Sequence, residues 1–229
     1  MSAERRDSRM NLRHLHRPLA AAALWLLAGA GEAAGAEPGN AQAWPRNASH
    51  PPARDVPLPP GATCTAHVAM DAQQGVLVCR DAGEPGVSLW SVRQAKDEPS
   101  PRFVRLLRWR GAAGARLSWH HAPSCPADAA CPQGVLLADA FDDYCMGTTV
   151  LVADPPRPPK VAGRITELIE VAGDLQCVGA TAALAGAEER IDIVVAEPLL
   201  RQTPAGLYVP IDPPMSYRLA KGKLLRIKR

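Results

Sequence analysis

The chain predicts an all-β fold: a single antiparallel β-sandwich or barrel-like domain with disulfide-stapled loops. Three observations carry that expectation. From residue 61 onward, short apolar runs recur at intervals of about 8 to 14 residues. Turn-forming residues separate them, and six cysteines are spread through the same region, as in exported domains whose loops are covalently tied. The alternative is an α+β fold with a helix near 165–189, where Ile165, Leu168 and Ile169 also fit helical spacing and Ala182, Ala183, Ala185 and Ala187 raise helix propensity.

The N-terminal segment reads as an export signal over 1–36. Arg5, Arg6, Arg9, Arg13 and Arg17 form a basic leader, Leu19 to Ala30 is an apolar run, and Ala34-Gly35-Ala36 offers small residues for cleavage. A membrane span needs about 20 predominantly apolar residues, and Glu32 interrupts this one, so no stable transmembrane anchor is expected after cleavage. The next 24 residues, 37–60, hold seven prolines without apolar periodicity and read as a Pro-rich disordered linker. The remainder, 61–229, is the length of one ordinary domain.

Within that domain the predicted strands begin with Ala66 to Met70, Gly75 to Cys79, Val87 to Val92, Phe103 to Arg110 and Arg116 to His120. Val135 to Phe141, Thr148 to Ala153, Ile165 to Val171 and Leu175 to Leu184 follow, with Val171 to Asp174 as a turn. The series closes with Ile191 to Glu197, Gly206 to Ile211, Tyr217 to Ala220 and Leu224 to Lys228. A three-residue loop at Lys221-Gly222-Lys223 would put Leu219 against Leu225 and Tyr217 against Ile227 on one face, with Arg218 opposite Arg226 on the other. A two-residue loop would instead pair Tyr217 with Arg226 and lose that segregation.

Three bridges are expected among the cysteines. Cys125 and Cys131 enclose a short loop, Cys64 and Cys79 flank a hairpin turned at Asp71 to Gly75, and Cys145 pairs with Cys177 by elimination. In that hairpin Cys79 would oppose His67, so the Cys64 bridge requires a bend. No CxxC occurs and no spacing resembles paired zinc ligands, so neither a metal nor another cofactor is expected.

Without residues 1–36 the chain has 21 basic and 20 acidic side chains, which gives no concentrated cationic surface for nucleic acid. Arg102, Arg105, Arg108 and Arg110 interleave with apolar residues as on the exposed face of an edge strand. Arg outnumbers Lys by 21 to 5, a bias toward GC-rich codons that points to a bacterial protein of the periplasm or secreted beyond it. GxSxG, SxxK and HExxH are absent, so no catalytic residues are assigned. The binding candidates are Asp139, Phe141, Asp142, Asp143 and Tyr144, where carboxylates and two aromatics end a strand just before Cys145. His120 and His121 form the one histidine cluster beyond the linker, although adjacent strand residues face opposite ways. The expected function is a non-enzymatic binding protein of the inhibitor, immunity or envelope-recognition type, with a protein or cell-envelope component as partner. The alternatives are an envelope hydrolase using Asp142 or Asp143 with His120 or His121, and a structural accessory subunit of an envelope complex.

Overall fold

A computed structural model of the protein describes residues 46–122, 134–187, 190–212 and 215–228. The expected signal segment 1–36 and the expected Cys125–Cys131 bridge lie outside these residues. Every strand pair described is antiparallel, as alternating runs joined by tight turns require. The fold is all-β and sandwich-like, built from several sheets.

The first meander consists of β2 (Ala62–Ala69), β3 (Gln74–Asp81), β4 (Val87–Arg93) and β5 (Arg102–Trp109), paired in chain order. A second meander, β6 (Gly114–His121), β7 (Gly134–Phe141), β8 (Cys145–Ala153) and β9 (Lys160–Ile165), repeats this arrangement and gains β1 (Arg46–Ala48) beside β6. The C-terminal part forms two four-stranded sheets. One orders β11 (Asp174–Cys177), β10 (Leu168–Val171), β14 (Leu199–Gln202) and β15 (Tyr208–Pro210). The other orders β12 (Ala183–Ala187), β13 (Arg190–Val194), β16 (Met215–Ala220) and β17 (Lys223–Lys228).

The second meander is the middle layer. Side chains alternate across a strand, so Leu136, Ala138 and Ala140 of β7 face one way and join Val68, Val78, Leu89 and Trp119 in a core shared with the first meander. Val135 and Leu137 face the other way, against Ile169, Val178, Leu184, Ile193 and Tyr217 of the C-terminal sheets. Burial on both faces explains why β7 reads as a nearly continuous apolar run rather than a clean alternation.

Four expectations are corrected. Residues 46–60 are not a disordered linker: β1 pairs Arg46, Asn47 and Ala48 with His120, Trp119 and Ser118, and His50 bridges to His67. Prolines flank β1 without blocking it, because the paired residues keep their own amide donors. The 165–189 helix is a single turn, α1 (Val178–Thr181), because β12 takes up strand pairing with β13 and tertiary pairing overrides alanine's propensity. Predicted strands 165–171 and 175–184 are each interrupted, by the β9–β10 connection and by α1.

The fourth correction is the C-terminal register. The loop has two residues, Lys221 and Gly222, both at positive φ (49° and 70°), and Tyr217 pairs with Arg226. Such a turn matches the right-handed twist of the flanking strands. Charge segregation misleads here because the exposed Arg226 does not need a face of its own: its guanidinium reaches the buried Glu167, which also accepts the Tyr217 hydroxyl.

Among the described residues two disulfides are formed, Cys64–Cys79 and Cys145–Cys177, and they point to an oxidising compartment. In the first hairpin the loop is Asp71 to Gln73, whose aspartate Oδ1 accepts the Gln73 and Gln74 amides at 2.7 and 2.6 Å. A bulge between Cys64 and Ala66 supplies the bend the bridge requires and sets Cys64 directly opposite Cys79. Among the described residues no helix is long and apolar enough to cross a membrane.

Candidate functional site

The turn between β7 and β8 consists of Asp142, Asp143 and Tyr144. Phe141 pairs with Cys145, and the Asp142 amide donates to the Tyr144 carbonyl at 3.0 Å. Aspartate suits such a corner because its short polar side chain competes with strand pairing. Tyr144 stands 73% exposed at the tip, unusual for a large aromatic on a tightly held turn.

The Cys145–Cys177 bridge brings β11 against this corner. The preceding hairpin turn is Ala172-Gly173, again with two positive φ angles (54° and 89°), and it pairs Val171 with Asp174 as the sequence suggests. Between the two hairpins lies a concavity of about 540 Å³. Five predicted binding residues, Asp139, Phe141, Asp142, Asp143 and Tyr144, line it together. Arg116 and the segment 173–177 complete the wall, with Asp174 adding a further carboxylate. These residues were missed at the sequence level. Cys177 was the available signal, since pairing it with Cys145 necessarily draws Asp174, Leu175 and Gln176 to the same corner.

The wall has a defined electrostatic gradient. Arg116 sits across β6–β7 from Asp139, and its guanidinium lies 5.4 Å from the Phe141 ring centroid, a cation–π contact. Asp139 is 4% exposed, and its Oδ1 accepts the Thr148 hydroxyl at 2.7 Å. Burial pushes its carboxyl up to about 6, against the opposing pull of the Thr148 hydrogen bond and the Arg116 charge. Gly179 of α1 makes this packing possible: a Cβ there would lie 2.2 Å from Asp139 Oδ1.

The histidines do not join this pocket. His121 pairs with Gly134 and the Asp142 corner follows Phe141, so seven strand steps of about 3.3 Å separate them by roughly 23 Å. The hydrolase alternative needs these groups in one cleft, and the strand register holds them apart. His121 instead accepts the Trp119 indole N–H at Nδ1 (3.2 Å) and contacts the Asn47 amide at 3.0 Å. His120 is 1% exposed, with its Nε2 2.9 Å from Ser118 Oγ. Burial, reinforced by the nearby Arg46 and His121, pulls its pKa down to about 4.

The interleaved arginines of β5 are neutralised by acids. Arg102 pairs with Glu98, Arg105 with Asp81 and Glu84, and Arg108 with Glu84. They form the charged edge of the first meander, the role expected of them. Among the described residues no group of three or more His, Cys, Asp or Glu side chains is placed to hold a metal ion. No protein-family model matches the chain, and neither the curated proteins nor the solved structures contain a significant match to it.

Proposed function

We propose that the chain is an exported, non-enzymatic binding protein of the bacterial periplasm or exterior. It recognises a protein or cell-envelope component at the Asp142–Tyr144 corner. The observation that carries this reading is a 73% exposed tyrosine on a corner immobilised from both sides. Strand pairing at Phe141–Cys145 holds its base, and the Cys145–Cys177 bridge ties the next residue to a second hairpin. A ring held this way loses little conformational freedom when it is covered, and rigid aromatic anchors carry a disproportionate share of binding energy. Asp142, Asp143 and Asp174 beside it favour a partner that presents basic groups. The basic leader followed by an apolar run, and the disulfides, support export.

The test is affinity capture from a periplasmic extract with the wild type and the Tyr144→Ala and Asp142→Asn/Asp143→Asn variants side by side. A partner retained by the wild type should be lost from both variants, with affinity reduced by about tenfold or more for Tyr144→Ala. Equal retention by all three proteins, or turnover of an envelope substrate by the purified chain, would sink the reading.

A further inference from the structure

A second concavity, of about 280 Å³, lies between β1, β6 and α1 and shares Arg116, Asp139 and Gln176 with the first. Its other polar residues are Arg46, Ser49 and Ser118: the guanidinium only donates, and each hydroxyl has one O–H to donate beside its acceptor lone pairs. Among the described residues neither Arg46 nor Arg116 has a salt bridge or a side-chain hydrogen bond; Arg116 is engaged by the Phe141 ring and the charge of Asp139. Ser49 Oγ already accepts the Leu117 amide at 3.0 Å, which leaves its O–H free to donate.

Ser118 is made a donor by its neighbour. The buried His120 contacts it through Nε2, and His120 Nδ1 has no hydrogen-bond partner. A buried N–H without an acceptor is rarer and costlier than a bare lone pair, so the favoured tautomer carries its hydrogen on Nε2. That N–H donates to Ser118 Oγ, and the serine O–H is released toward the pocket. The same tautomer deprives Ser118 of a base, so the hydroxyl is a donor and not an activated nucleophile. One carboxyl, Asp139, faces the group. It is wedged between Thr148 and Gly179, and two guanidiniums outweigh it.

We infer that this pocket is an oxyanion-binding subsite, which takes a carboxylate or phosphate group between Arg46 and Arg116 with the Ser49 and Ser118 hydroxyls completing the donor set. It is independent of the Tyr144 reading, because the two pockets share a wall and no required contact.

The experiment is amide NMR of the isotope-labelled protein at constant ionic strength, titrated with inorganic phosphate and separately with acetate. Saturable shifts are expected at Ala48, Leu117, Ser118 and Gly179, with millimolar dissociation constants. Arg46→Ala and Arg116→Ala should each weaken binding by about tenfold. Asp139→Asn should strengthen it by removing the competing carboxylate, and Tyr144→Ala should leave it unchanged. Tighter phosphate binding assigns a phosphate-bearing ligand, and tighter acetate binding a carboxylate-bearing one. Shifts that never saturate, or saturation that survives the Arg46→Ala/Arg116→Ala double variant, overturn the subsite. Either result leaves the capture experiment on Tyr144 free to succeed or fail by itself.

Discussion

Asp139 and His120 are buried titratable groups whose effects on stability oppose each other. The His120 pKa falls from 6.5 to about 4 in the folded chain, so its neutral burial contributes stability that is complete above 6.5 and lost as pH falls toward 4. The Asp139 pKa rises from 3.8 to about 6, so its ionisation costs stability above about 6, and that cost disappears as pH falls toward 3.8. The two slopes cancel in part between about pH 4 and 6. Urea unfolding midpoints measured across this range should separate them. Asp139→Asn should lose stability on acidification more steeply than the wild type, and His120→Gln should gain it, each by on the order of 2–3 kcal/mol across the window. Parallel pH profiles in all three proteins would contradict this account. The sequence marks Asp139 as a member of the carboxylate cluster. It does not mark it as buried, because that depends on α1 closing over it from forty residues away along the chain. Arg46, Ser49 and Ser118 carried no signal of their own, since strand pairing at long range is what assembles them.

At the scale of elements, most strands were legible because apolar runs and turn residues alternate in the sequence itself. The failures have local causes. β1 was hidden by prolines that sit beside it and not within it. The C-terminal register departs from the expected one because charge segregation does not govern it: the exposed Arg226 and Tyr217 both reach the buried Glu167. Burial, followed by the charge and hydrogen bond of Glu167, accordingly holds the Tyr217 phenol well above its usual range. The turn geometry that decided the register has its own consequence. Lys221 and Gly222 both occupy left-handed backbone, which an asparagine tolerates better than a lysine and an alanine worse than a glycine. Thermal or urea unfolding should show Lys221→Asn more stable by roughly 0.5 kcal/mol and Gly222→Ala less stable by about 1 kcal/mol. A stabilising Gly222→Ala would mean that the loop does not have this conformation.

For the whole molecule, the two described disulfides do different work. Cys64–Cys79 staples two strands that already pair, across 15 residues, whereas Cys145–Cys177 joins different sheets across 32. On loop-entropy grounds removal should cost roughly 3 kcal/mol for the first and somewhat more, near 4 kcal/mol, for the second. Cys145→Ala/Cys177→Ala should also loosen the corner beneath Tyr144, read as faster amide exchange at Asp142 to Cys145 and Asp174 to Cys177. Cys64→Ala/Cys79→Ala should leave those amides unchanged. Equal protection in both variants would show that strand pairing alone holds the site.

The strand-rich class and the Cys64–Cys79 and Cys145–Cys177 pairings are legible in the sequence alone, and so is the carboxylate and aromatic cluster of Asp139 to Tyr144. Each rests on local chemistry: the period of apolar residues, the count and spacing of cysteines, and the clustering of charge beside aromatics. Long-range packing, by contrast, buries the second meander on both faces, brings residues 46–60 into the folded body and sets the histidines far from the acidic corner. It also decided that Arg116 and Asp174 share that corner and that Arg46 meets Ser118. Those outcomes depend on register and on contacts between residues far apart in the chain, which periodicity does not encode. A shift of one residue in register would have turned each of these side chains to the opposite face.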